Sequence, residues 1–208
     1  MRAPPLLTAG LLLVSCARKQ HDAPELQLPA LRVVLASESE IRKIATIEND
    51  VVRRPWVGPI IQLLAEDAPD GAVPVPQKRL AGSANADALF ARALTNLRAA
   101  IPQPIQERTV QMAKARVQIT RFADSYTTAR LLLPDLWSPI AANAGGQLFA
   151  AAPARDILLW TTSLSREDQR ALRAQAQTAF ESRSYPISPA ILRWTGTGWA
   201  LEDPNPRN

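Results

Sequence analysis

The side chains able to do chemistry are few. The chain holds one cysteine, Cys16, and one histidine, His21, among 208 residues. A lone thiol and a lone imidazole exclude a disulfide framework within the chain and a Cys/His zinc site. They also exclude His-pair metal sites and most Ser-His or Cys-His mechanisms. The lysines are Lys19, Lys43, Lys78 and Lys114, and none stands three positions after a serine, so no Ser-x-x-Lys dyad is present. Gly-x-Ser-x-Gly, Walker-type and Gly-x-Gly-x-x-Gly patterns are absent as well. What remains is the chemistry of carboxylates, arginines and hydroxyls.

Three residues are candidates for ligand binding: Arg155, Asp156 and Asp67. Arg155 and Asp156 stand in Pro153-Ala154-Arg155-Asp156, which reads as a hairpin tip. An arginine there could fork onto a carboxylate or phosphate through parallel N–H bonds. The same four residues also make an ordinary turn, with the aspartate bonding local backbone N–H groups. Asp67 and Asp70 could be paired carboxylates or calcium ligands. A loop carrying Pro69 and Gly71 accounts for them without either role. No catalytic residue, metal site or cofactor is expected.

The thiol has a more specific setting. A short basic start at Arg2 precedes an uncharged run from Ala3 to Ser15. A helix needs about 20 apolar residues to cross a bilayer, so this run is too short to span; it has the length of a signal-peptide core. It ends in Leu13-Val14-Ser15-Cys16, which resembles the lipobox of bacterial lipoproteins. Small residues there let a peptidase approach the backbone, and the thiol is the nucleophile that takes a diacylglycerol. The resemblance implies cleavage before Cys16, lipidation of its sulfur and acylation of the new amine. At about 0.8 kcal/mol per buried methylene, two or three acyl chains hold a protein on a membrane. Ala17 follows, where an aspartate would favour inner-membrane retention, so the resemblance points to the outer membrane, facing the periplasm, in a Gram-negative cell. An ordinary secretory signal with an incidental cysteine is the other reading.

Residues 1–15 are therefore read as a signal peptide, 16–30 as the lipidated cysteine and a tether, 31–203 as one folded domain and 204–208 as a disordered tail. His21 falls in the tether, with Pro24 and Pro29. The formal charge is +5, but the positive charge is mostly arginine spread in ones and twos, densest at Arg53-Arg54 and Lys78-Arg79. That pattern suits weak attraction to anionic lipid heads or cell-wall polymers. It lacks the basic stripe with stacking aromatics that nucleic-acid binding requires. The five tryptophans, Trp56, Trp137, Trp160, Trp194 and Trp199, could line a ligand groove or anchor the core; with so few other aromatics, the core is the expected place.

The elements that must position these groups follow from periodicity. Leu31–Leu35 reads as a strand, and Ser37 three places before Glu40 has the capping-box spacing for a helix with Ile41, Ile44 and Ile47 on one face. Arg53, Arg54 and Pro55 break it. Pro59–Ala65 reads as a buried strand and 66–71 as a turn. The strongest helix is Ala86–Ile101, with Leu89, Phe90, Ala93, Leu94, Leu97 and Ile101 at three- and four-residue spacing. Two alternating runs, Val110/Met112 and Ala115/Val117/Ile119, are out of phase, which predicts a bulge or break near 113–114. Tyr126–Leu133 reads as a strand, and 135–143 as a helix stopped by Gly145-Gly146. Leu148–Ala152 and Ile157–Thr162 form a hairpin, Ser165 caps a helix to about Arg183, and 191–194 with 199–201 close a last hairpin. Strands joined by hairpins with helices between predict an α+β fold, a largely antiparallel sheet with two main amphipathic helices packed on it. A parallel α/β fold is the alternative.

Three stretches resemble the YtpQ-like family, a domain family of unknown function. They are Ile60–Pro69 with the Leu89–Leu97 helix; Ala129–Leu133 with Leu136-Trp137; and Ala152–Leu159 with Tyr185–Pro189. The resemblance spans about residues 33–201, lacks the N-terminal part of the family pattern and brings no activity, cofactor or functional residue. The expectation is a lipid-anchored envelope protein, a non-catalytic binding or assembly module with an envelope protein or polymer as partner and no nucleic acid. An envelope hydrolase working through carboxylate, arginine or hydroxyl groups is the alternative.

Overall fold

The computed structural model describes residues 26–45, 50–80, 85–101, 104–105 and 109–202. The expectations at Cys16, His21, Ile47 and the 204–208 tail lie outside the described residues. The fold is α+β, with every strand pair antiparallel and the strands shared between two sheets.

The first sheet is built on β3 (Ile60–Ala68). One edge of β3 pairs along its length with β1 (Leu31–Ser37). The other edge pairs first with β2 (Arg53–Val57) and then with β4 (Gly71–Pro74). Where those two meet, Leu64 donates its N–H to Val52 and its carbonyl accepts from Val75. The second sheet runs β10 (Trp199–Leu201), β9 (Leu192–Trp194), β7 (Phe149–Ala154), β8 (Ile157–Thr161), β6 (Gln118–Thr120) and β5 (Thr109–Gln111).

Strand alternation sorts the core. In β1, Leu31 and Val33 pack with Leu89, Phe90 and Ala93 of α2 (Ala86–Ala100), while Val34 and Ala36 turn to the largest cluster. In β7 and β8, Phe149, Ala151 and Leu159 pack with Leu172, Ala176 and Ala179 of α4 (Arg166–Ser182). Their alternate neighbours Ala150, Ala152, Leu158 and Trp160 enter the largest cluster, which joins residues of both sheets and Trp137 and Ile140 of the helix over Pro134–Asn143. The two serine caps are formed as expected. Ser37 accepts from the Glu40 N–H at the start of α1 (Glu38–Ile44), and Ser165 accepts from Asp168 at the start of α4. The Pro134–Asn143 helix, α3, is stopped by Gly145 and Gly146, both at positive φ, with the Gly146 N–H bonded to Ala141 O.

Four tryptophans anchor the core rather than line a groove. Trp137 meets Trp160 and Trp199 edge-on at 6.1 and 5.3 Å between centroids, and Trp194 meets Trp199 at 5.2 Å. Trp56 is partly buried against the same cluster.

Several expectations are corrected. Tyr126–Leu133 is not a strand: Thr128–Leu132 is a 3-10 turn. Its apolar run looks like a strand in sequence, but the Arg130 side chain folds back onto Asp124 and the Arg130 carbonyl caps the Trp137 indole N–H. Arg53–Pro55 does more than break a helix; it enters β2, where Pro55 is tolerated because the strand has a free edge. The 66–71 turn shrinks to Pro69 and Asp70, because Glu66–Ala68 continues β3 to pair with β4. The β7–β8 tip is Arg155 and Asp156 alone. Ile44 is exposed rather than inward. The last residues of the expected tether belong to the folded body: Gln27 N–H bonds the Glu66 carboxylate, and Asn96 Nδ2 bonds the carbonyls of Leu28 and Leu31. The phase slip near 113–114 is a break, with the chain reversing between β5 and β6. No helix among the described residues is long and apolar enough to cross a membrane.

Candidate functional site

Four segments converge on one cleft of about 690 Å³. The β3–β4 tip supplies Asp70 and Gly71, the loop before the 3-10 turn supplies Asp124 and Ser125, and the β7–β8 tip supplies Arg155 and Asp156. The end of α4 and the residues after it supply Ser182, Arg183, Ser184 and Tyr185. Both hairpin tips come from tight turns written in the sequence; their meeting does not.

Arg155 is held from behind by backbone. Its N–H donates to Tyr185 O at 3.1 Å, Ile187 N–H donates to Pro153 O at 2.9 Å and Ser188 N–H to Ala152 O at 3.2 Å. The 185–188 segment therefore runs along β7, and the Ser37 hydroxyl pins it by donating to Pro186 O at 3.0 Å. The Arg155 guanidinium lies 4.4 Å from the Tyr185 ring centroid. Its Nε is buried without a hydrogen-bond partner. No carboxylate forms an ion pair or hydrogen bond with it among the described residues. Burial pulls its pKa below the usual guanidinium range, with Tyr185 and Glu40 opposing through space. Glu40 itself is paired with Lys43. A guanidinium is not deprotonated in proteins, so the cleft contains a cation whose side-chain N–H groups make no hydrogen bond among the described residues.

Tyr185 carries a second anomaly. Its φ is 55°, in the left-handed region, and the residue as a whole is 55% exposed. A bulky residue there is a backbone outlier, a kind of strain that clusters at ligand clamps and active sites.

The acids of the cleft are mostly engaged. Asp124 receives both terminal nitrogens of Arg130, at 3.0 and 2.8 Å, and the Tyr126 N–H at 2.8 Å. Arg130 is 1% exposed and lies 3.4 Å from the Phe122 ring centroid. Asp156 receives Arg183. Of the three aspartates lining the cleft, only Asp70 has no ion pair or side-chain hydrogen bond among the described residues.

Asp67 does not join Arg155 and Asp156 in this cleft. It lines a neighbouring hollow of about 630 Å³, together with Asp70. There it accepts the Tyr126 hydroxyl at 2.7 Å and lies 3.7 Å from Arg32. Burial, reinforced by this bond, pushes the Tyr126 hydroxyl above its ordinary pKa. Asp67 is thus a structural acceptor. Among the described residues no group of three or more His, Cys, Asp or Glu is placed to hold a metal ion. Sequence reasoning missed Tyr185, Asp70 as a cleft acid and the serines after α4, for nothing local marks them.

No family model, no curated protein and no solved structure matches the chain.

Proposed function

We propose that this chain is a lipid-anchored protein of the bacterial envelope whose folded body is a binding module, taking the anionic group of an envelope protein or polymer at Arg155. The observation that carries the binding half is the Arg155 guanidinium, which lines the cleft and pairs with no carboxylate among the described residues. A desolvated cation with free N–H donors favours a carboxylate or phosphate oxygen. The anchoring half is supported by the position of Cys16 after the Leu13-Val14-Ser15 run. Ala17 favours the outer membrane, with the body in the periplasm. The likeness to the YtpQ-like family supplies no activity, so the reading rests on this chemistry.

A hydrolase is the second reading, and one observation favours it: Asp124 and Asp156 line the cleft beside Ser125, Ser182 and Ser184. The geometry supplies little activation. Asp124 and Asp156 are held by Arg130 and Arg183, and the Ser182 hydroxyl donates to Thr178 O. A nucleophile needs an adjacent base within hydrogen-bond reach.

The test has two arms. The mature chain isolated from membranes should carry diacylglycerol on Cys16 in its mass spectrum, and Cys16→Ser should leave the membrane fraction; an intact leader with a free thiol removes the anchoring half. Calorimetric titration of the full chain in detergent with acetate and with inorganic phosphate should show binding that Arg155→Gln abolishes. Equal binding by the variant removes the binding half. Labelling of a cleft serine by a fluorophosphonate would favour the hydrolase.

A further inference from the structure

We infer that the cleft accepts a small zwitterion, an α-amino acid or a short peptide, with its carboxylate on Arg155, its ammonium on Asp70 and its body against the Tyr185 ring. This rests on the binding reading above and names the ligand class.

The charges of the cleft carry the inference. Its lining holds three acids and two arginines. Asp124 is neutralised by Arg130 from behind the wall, and Asp156 by Arg183 within it. One cation, Arg155, and one anion, Asp70, are left without an ion pair among the described residues. A dianion such as a phosphate monoester would satisfy Arg155 but would leave Asp70 unanswered and add to the negative charge of the lining. A simple cation would satisfy Asp70 and meet Arg155. A molecule carrying one carboxylate and one ammonium answers both, and a planar carboxylate matches the fork of a single guanidinium.

Shape agrees with charge. The β3–β4 tip that carries Asp70 lies hard against the loop opposite: a Cβ added at Gly71, whose φ is 121°, would stand 3.2 Å from the Ser125 hydroxyl. Asp70, the residue before Gly71, is exposed at this turn. The Tyr185 ring covers Arg155 on one side, and the residue is exposed enough to meet an aliphatic body.

The experiment titrates the full chain in detergent at pH 7 with L-alanine, dialanine and trialanine, which separate the two charges by increasing lengths. The tightest is then compared with its N-acetylated and methyl-ester forms. We expect the unblocked molecule to bind, and either block to weaken it about tenfold or more, the worth of one charge-assisted bond. Arg155→Gln should abolish binding of every form. Asp70→Asn, at an exposed turn position that leaves the fold intact, should remove only the advantage of the free amine. If the N-acetylated form binds as tightly as the free zwitterion, or if acetate or phosphate binds and no zwitterion competes, this inference is overturned while the anion-binding reading survives. If no anion binds, both fall.

Discussion

The Arg155 guanidinium lies 4.4 Å beneath the ring of Tyr185, and Tyr185 in turn accepts the Arg155 N–H through its backbone while holding φ at 55°. Two residues thirty positions apart thus lock one another at the mouth of the cleft. The arginine gains a cover without gaining a counter-charge. A carboxylate in the ring's place would have neutralised the site.

This coupling predicts a separation of stability from binding at position 185. Left-handed backbone costs an L-residue about 1–2 kcal/mol, which glycine avoids. Tyr185→Gly should therefore be more stable than Tyr185→Ala by about 1 kcal/mol, measured by urea unfolding, while both lose the ligand contact. Equal stabilities would show that the position carries no strain.

The buried Arg130–Asp124 pair predicts an asymmetry. Removing one partner of a buried pair typically costs about 3–5 kcal/mol. Arg130 is 1% exposed, whereas the Asp124 side chain is 33% exposed and water can serve it when the arginine is gone. Asp124→Asn should thus lose more stability than Arg130→Met. Denaturant midpoints of the two variants decide it, and the reverse order would contradict the burial argument.

Asp168 predicts an acid-side dependence of stability. The Ser163 hydroxyl, the Arg116 N–H and the Ser165 hydroxyl hold its carboxyl below the usual aspartate value. A folded pKa below the unfolded one contributes stability that is complete above the unfolded value, near pH 3.9. That contribution drains away as the pH falls through the lower folded value. Asp168→Asn should flatten the acid limb of a melting-temperature-against-pH profile and leave its slope near neutrality unchanged. Ser165→Ala, which also removes the helix cap, should cost about 1 kcal/mol at pH 7. An unaltered acid limb in Asp168→Asn would rule the linkage out.

Gly58 joins β2 to β3 at φ 55°, and a Cβ there would come within 2.6 Å of Leu201 on β10. The clash is with the tip of a half-exposed leucine, which can swing away; the backbone strain cannot be relieved so easily. Gly58→Ala should cost about 1–2 kcal/mol, and adding Leu201→Ala should restore only the steric part. Comparing thermal unfolding of the double variant with Leu201→Ala alone isolates the backbone cost. Equality between them would show that the clash was the whole effect.

The local rules carried a large part of the fold. Ser37 and Ser165 announced their helices, because a cap is settled within three residues. The apolar stripe of Leu89, Phe90, Ala93 and Leu97 and the buried runs of β3 and β8 were equally legible, since burial of one face is written at the period of the element. Arg155 and Asp156 could be placed at a hairpin tip for the same reason.

Tertiary structure decided the rest. It made 128–132 a 3-10 turn, because Arg130 found Asp124 and Trp137 found the Arg130 carbonyl. It sent Asp67 to Tyr126 and away from Arg155. It brought Asp70, Asp124, Arg155 and Tyr185 to one cleft from four segments distant in sequence. Periodicity and caps act within a turn or a strand, whereas a cleft depends on which hairpin tips the packed core sets side by side, and no short-range pattern encodes that.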